Sequence, residues 1–302
     1  MIKLPSGVDL NNLIDDLRVI SWEASDTLLY YSQILKYSDN KSNILKNDNK
    51  NDPVTIADLK VNEIIIERIN EKYQDIEWEI LSEENVKTSP CSLNIKSDWV
   101  WILDPLDGTQ DFIQGTSDFA MHLALNYRQT PYIGVVLIPE KDELWIAIGK
   151  VVWCEKRDGT KLKPNSFKNK SLTEMVLVTS KNHRNNTLKR LIEKIRFKKI
   201  IIMGSIGCKV ASILRGESDL YICLSLHGQS CPKDWDFAAP EAILKASGGN
   251  ITYLNNKDLS YGRSNFEQGG VIVASNNSIN HKDLCVAIKE IIQKYELYPL
   301  DF

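Results

Sequence analysis

Hydrophobic positions recur at helical spacing near the start of the chain. Leu10, Leu13, Ile14, Leu17, Ala24 and Leu28 fall close to one stripe, and Asp9 stands where a cap belongs. This predicts a long amphipathic helix over residues 9–36. A second stripe, Val61, Ile64, Ile65 and Ile69, predicts a helix from about Ala57 to Lys72. Between the two, Ser38 to Asp52 (SDNKSNILKNDNKND) carries too little apolar surface to fold alone. It reads as a mobile loop, close enough to Asp58 to shut over a site there.

The spacing then changes. Short apolar runs at Trp78–Leu81 and Trp99–Leu103 end in acidic residues, and Phe119–Tyr127, Tyr132–Ile138 and Leu144–Ile148 look like strands of a sheet. Polar Pro164–Ser171 can join two halves, an N-terminal α+β half over 1–165 and a C-terminal α/β half over 166–302. In the second half, strands are predicted at Met175–Thr179, Lys199–Met203, Leu220–Leu224 and Gly270–Ala274. Helices are predicted near Thr187–Arg196, Gly207–Leu214, Phe237–Ala246 and Ile279–Tyr295. No internal repeat is visible. The mixture predicts an α/β protein of layered sheets and helices rather than a pure barrel or bundle.

With 302 residues the chain can bury a sizeable core. Its 37 basic and 40 acidic residues leave a net charge of −3, which excludes a strongly basic nucleic-acid footprint. No apolar run approaches the roughly 20 residues of a membrane helix, and Met1 to Leu10 holds no secretory h-region. The six cysteines are scattered without a Cys-x-x-Cys pair, so a zinc ribbon or redox motif is unsupported. These features predict a cytoplasmic protein with reduced thiols and neither a membrane nor a nucleic-acid partner.

The most informative segment is Trp99 to Phe112, WVWILDPLDGTQDF. An apolar strand delivers Asp104, Pro105 prevents a regular ladder from continuing, and Asp107 follows. Gly108 lets the backbone approach a ligand, and a helix start after it would be a phosphate cradle. Crowded carboxylates repel unless neutralised, and hard oxygen ligands without nearby His or Cys favour Mg²⁺. Asp-Pro and Asp-Gly turns are also common in ordinary loops. Further acidic residues follow an apolar strand at Glu83 and Glu84, with Glu84 read as outside the ligand set, either behind it or solvated. Asp236 precedes a helical run and reads as its N-cap, as a ligand, or as both.

Taken in order, four motifs resemble the inositol monophosphatase superfamily of Mg²⁺-dependent, lithium-sensitive phosphatases. They are DPVTIAD (Asp52–Asp58), SEE (Ser82–Glu84), DPLDGT (Asp104–Thr109) and WDFAA (Trp235–Ala239). The resemblance implies an alternating αβαβα sandwich. It implies that Glu83, Asp104, Asp107, Asp236 and the Leu106 backbone carbonyl hold the metals, two or three Mg²⁺ per site. It also implies that Thr109, supported by Asp58, holds the nucleophilic water together with Glu83, and that Gly108 and Thr109 donate backbone N–H groups to the reacting phosphate.

Within the superfamily the chain is most similar to the 3′(2′),5′-bisphosphate nucleotidases of the CysQ type. The segments Ile80–Glu84, Val178–Arg184 and Gly204–Lys209 carry that likeness. By it, His183, Ser205 and Lys209, with Asp236, would contact the nucleotide. Ser205 and Lys209 are four apart rather than the family's usual three, and Tyr221–Leu224 holds no arginine. The activity implied is hydrolysis of 3′-phosphoadenosine 5′-phosphate to AMP, linked to sulfate assimilation. An inositol monophosphatase or broader sugar-phosphate phosphatase is the alternative enzyme. A Mg²⁺-dependent nucleotide-binding regulatory protein is the alternative without turnover. The expected partner is a small phosphorylated nucleotide or sugar phosphate, bound by a monomer or homodimer.

Overall fold

The first stripe is buried from Leu13 onward, with Leu10 partly buried. Helix α1 (Leu10–Tyr37) turns Leu13, Ile14, Leu17, Ala24 and Leu28 inward, and the Asp9 carboxylate accepts from Asn12 N at 2.9 Å at its start. The chain is described by a computed structural model over residues 2–37, 45–47, 54–88, 95–182, 185–226 and 231–299. The mobile-loop expectation for Ser38–Asp52 falls mostly outside these residues. Within it, β1 (Leu45–Asn47) pairs antiparallel with β2 (Val54–Thr55). Helix α2 (Ile56–Lys72) follows, with Val61, Ile65 and Ile69 buried.

A seven-stranded sheet comes next. Its strands are β3 (Glu79–Ser82), β4 (Trp99–Asp107), β5 (Ala120–Tyr127), β6 (Thr130–Ile138), β7 (Glu143–Ile148), β8 (Val151–Glu155) and β9 (Lys161–Leu162), in that order across the sheet. Only β3 and β4 run parallel. Two short helices, α3 (Glu83–Thr88) and α4 (Thr109–Ile113), sit directly after β3 and β4.

The remainder builds a five-stranded sheet from β10 (Val176–Ser180), α5 (Asn186–Ile195), β11 (Lys199–Met203), α6 (Ile206–Leu214), β12 (Leu220–Ser225), α7 (Asp234–Ala246), β13 (Asn250–Tyr253), β14 (Gly270–Ser275) and α8 (Ser278–Lys294). Its strand order is β11-β10-β12-β14-β13.

Three apolar clusters stack these elements into an αβαβα sandwich. One joins α1 and α2 to the near face of the first sheet through residues such as Leu17, Val61, Trp101 and Leu123. The second puts α6 and α7 between the sheets, with Val210, Phe237 and Ile243 touching Ile102 and Val136 on one side and Tyr221 and Ile272 on the other. The third packs α5 and α8 on the outer face of the second sheet through Leu191, Ile222, Val273 and Ile288. The close fit of α7 requires Gly134 on β6, where a Cβ would stand 2.5 Å from that of Ala242.

The departures from expectation are local. Strand β4 does not stop at Leu103. It runs to Asp107, and its pairing with β5 slips between Asp104↔His122 and Asp107↔Ala120. Three steps on β4 thus match two on β5, a bulge at the proline that cannot donate to the ladder. Helix α7 begins at Asp234 rather than at Phe237, because the Asp236 carboxylate folds back to accept from the amide of the N-cap residue Lys233. Asp236 is therefore the third helical residue, not the cap. Helix α4 starts directly after Gly108, where a helix start is weighed above, whereas strands β1, β2, β8, β9 and β13 and helix α3 lie outside the predicted elements. They are short, and their sequences carry little periodicity.

His281 of α8 is fully buried against the second sheet between the Ser275 and Thr252 hydroxyls, at 2.7 and 2.8 Å from its ring nitrogens. Burial pushes its pKa down to about 4. The unfolded chain titrates near 6.5, so it binds the proton first and stability drains away as pH falls from about 6.5 to 4. Urea unfolding across that range should show the loss, up to roughly 3 kcal/mol from this group. The His281→Gln variant should lack that part of the slope.

Candidate active site

The bulge on β4 determines where two carboxylates point. Strand residues three apart face opposite sides of a sheet. The extra residue between Asp104 and Asp107 cancels that alternation and lets both acids turn toward one place. Asp104 Oδ1 accepts from Leu106 N at 3.0 Å, which holds the turn. Asp236 arrives from the first turn of α7, its Oδ2 accepting from Lys233 N at 2.6 Å. Asp104, Asp107 and Asp236 each offer one carboxylate oxygen, and these lie within 4.8 Å of one another. Glu83, the first residue of α3, completes the group beside Asp104.

This crowding has an electrostatic cost. Burial, then the charges of Glu83, Asp107 and Asp236, push the Asp104 pKa well above the usual carboxylate range. Asp236 is raised likewise, by burial and then by Asp107 and Glu83. Asp107 is treated differently. Its Oδ2 accepts from the Ser205 hydroxyl at 2.6 Å, from Gly207 N at 3.2 Å and from Ile206 N. A carboxylate from β4 therefore caps the N-terminus of α6, where the helix dipole favours negative charge. His122 of β5 stands behind it, Nε2 lying 3.3 Å from the same oxygen.

Beside the cluster, Asp58 is buried in the first turn of α2. Its Oδ2 accepts from Thr55 N at 2.8 Å and from the Thr55 hydroxyl. Burial, partly offset by these bonds, pushes its pKa up to about 7. The Thr109 hydroxyl lies 3.3 Å from Asp58 Oδ1 and 2.9 Å from the Leu106 carbonyl. Gly108, between Asp107 and Thr109, has φ +91°, and a Cβ there would stand 2.7 Å from the Asp118 carbonyl. The close turn needs glycine.

These groups open onto a cavity of about 630 Å³. Glu83, Asp104, Leu106, Asp107, Gly108, Thr109, Ser205, Lys209 and Asp236 all line it. Asp58 sits just behind that wall. The Ser205 hydroxyl is engaged by Asp107. The Lys209 ammonium donates to the Ser205 carbonyl at 2.9 Å and lies 5.4 Å from the centre of the Tyr221 ring. His183 lies outside the described residues. Glu84, allowed above to be solvated, is 3% exposed, and its charge adds to the pressure on Asp58.

Several participants were not anticipated. His122 is a buried polar residue in a mostly apolar strand, and only the β4–β5 register places it behind Asp107. Lys87 reaches Glu83 at 2.9 Å, a contact that the i, i+4 spacing on a helix would have suggested had α3 been foreseen. Lys181 and Asn182 line the cavity and bond to buried Asp111 at 3.3 and 2.8 Å.

A donor set made only of oxygens, crowded enough to raise its own pKa values, suits a hard divalent cation. The sequence model of the inositol monophosphatase family matches residues 18–293. The chain belongs to that family. Within it, the chain is 33% identical over 214 residues to a Buchnera aphidicola protein named 3′(2′),5′-bisphosphate nucleotidase CysQ, covering 71% of this chain and 76% of the relative. It is 25% identical over 257 residues to a Thermotoga maritima fructose-1,6-bisphosphatase/inositol-1-monophosphatase, covering 83% and 88%. A solved Thermotoga maritima IMPase matches the fold with a TM-score of 0.71 at 23% identity, over 94% of this chain and 99% of that one. Family members are phosphatases, and this chain is accordingly a phosphoric monoester hydrolase.

Because burial and neighbouring charge raise the pKa of Asp104 and Asp236, a cation that takes their oxygens competes with protons. Calorimetric titration with Mg²⁺ near pH 6 in two buffers of different ionisation heat should report proton release. Binding should tighten as pH rises toward 8.

Proposed function

We propose that this protein is a Mg²⁺-dependent 3′(2′),5′-bisphosphate nucleotidase that converts 3′-phosphoadenosine 5′-phosphate to AMP and phosphate. The observation that carries the reading is the convergence of Glu83, Asp104, Asp107 and Asp236 on one cavity that Lys181 and Lys209 also line. The acids suit a metal-assisted phosphoryl centre, and the lysines suit a second anionic group. The name of the Buchnera relative supports the same substrate class. A reducing compartment, the cytoplasm, suits the free cysteines.

Two or three Mg²⁺ held by Glu83, Asp104, the Leu106 carbonyl, Asp107 and Asp236 would neutralise phosphoryl oxygens and lower the pKa of a bound water. The chain's own groups do the rest. The Thr109 hydroxyl and the Glu83 carboxylate orient the attacking water. Asp58, its pKa about 7, is balanced between its two forms near neutrality. Ionised, it accepts the Thr109 proton and frees a Thr109 lone pair for the water. The backbone around Gly108, brought close by its positive φ, faces the developing charge on the phosphoryl oxygens. Lys181, Asn182 and Lys209 hold the distal part of the nucleotide.

The second reading, a sugar-phosphate or inositol-phosphate phosphatase, is favoured by the Thermotoga relative's name. Phosphate release should be measured with 3′-phosphoadenosine 5′-phosphate, inositol 1-phosphate and fructose 1,6-bisphosphate, each with Mg²⁺. The bisphosphate nucleotide should give the highest kcat/KM. Preference for inositol 1-phosphate would reverse the ranking. Asp104→Asn should lower kcat by about a hundredfold to a thousandfold, the range for removing a charge-stabilising group. It should leave the metal-free protein at least as stable at pH 8, since one buried repulsive charge is gone.

A further inference from the structure

The carboxylates at the cavity are not neutralised in one way. Asp107 leans on the start of α6, Asp236 on the Lys233 amide and Asp58 on Thr55. Glu83 instead has a full positive charge beside it. The Lys87 ammonium lies 2.9 Å from Glu83 Oε1 and 3.4 Å from Glu84 Oε1. Glu83 and Lys87 are one turn apart on α3, and both line the cavity.

The two side chains differ in freedom. The Glu83 carboxylate stands on a shorter stem at the first residue of α3. Lys87 has a long flexible stem and reaches in from the rim, its side chain 21% exposed. A divalent cation on the Glu83 oxygen would bring two like charges within a few ångströms, and the movable one must give way. We propose that Lys87 is an internal counter-ion: it occupies the Glu83 carboxylate in the metal-free protein, is displaced when a divalent cation takes that oxygen, and so sets the cation affinity of the site. This rests on the phosphatase reading above and adds to it a residue that regulates metal loading.

An ordinary i, i+4 pair on a solvated helix contributes little. This one sits in a cavity wall among several further carboxylates, where removing the cation leaves uncompensated negative charge. Two consequences follow from the same removal. The metal-free protein loses stability, and the metal encounters less competition.

The test is calorimetric titration of Mg²⁺ into wild type, Lys87→Gln, Lys87→Met, Lys87→Arg and Lys181→Gln. The Gln and Met variants at Lys87 should bind Mg²⁺ at least about fivefold more tightly, the lower end of typical coupling between two bound charges. They should also melt at lower temperature without metal. Lys87→Arg should stay within about twofold of wild type. So should Lys181→Gln, because Lys181 pairs with Asp111 rather than Glu83. Where a Lys87 variant does not fold without metal, the Mg²⁺ midpoint for refolding reads the same affinity. Unchanged or weaker binding in the Gln and Met variants overturns the proposal. Weaker binding would mean that Lys87 positions Glu83 instead, and the phosphatase reading would stand. Wild type that binds no Mg²⁺ at all would remove both.

Discussion

Carboxylates repel one another, and this fold nevertheless gathers Glu83, Asp104, Asp107 and Asp236 in one partly dry place. Much of the surrounding architecture answers that repulsion. The start of α6 is turned onto Asp107. Helix α7 begins three residues before its apolar run, so that Asp236 meets the Lys233 amide. Burial and the neighbouring charges push the pKa of Asp104 and Asp236 up. Each device lowers the cost of the cluster without filling it, which leaves the remaining oxygens available to a cation.

The layers place these devices. Helices α6 and α7 lie between the two sheets, so each presents its first turn to the end of the first sheet while its body packs on both. Small residues make this possible. Gly134 lets α7 lie against β6, and at Gly207 a Cβ would stand 2.2 Å from His122 Nε2. Packing and electrostatics thus depend on the same few positions. A bulkier residue there would move the helix starts away from the acids they serve.

The sequence made much of this legible. The stripes of α1 and α2 are read directly from Leu17, Leu28, Val61 and Ile65, because a helix facing a core repeats its apolar residues locally. The acids of DPLDGT were visible as a pair, and the proline signalled a broken ladder. What stayed hidden is non-local. Asp107 and the α6 amides are 99 and 100 residues apart, and His122 is placed only by strand register. The start of α7 was misplaced because Phe237 opens the obvious apolar run, whereas Asp236 folds back onto residue 233. Lys87 was overlooked because the short helix carrying it has too few residues to show a period.

The bond between Asp107 and α6 also has a temporal meaning. A ribosome makes the seven-stranded sheet first, and α6 and then α7 emerge only afterwards. Until they dock, Asp104 and Asp107 sit side by side with neither the helix start nor Asp236 to complete the pocket. The first sheet alone therefore holds only part of the acidic set, and the pocket is complete only once α6 and α7 have docked between the two sheets.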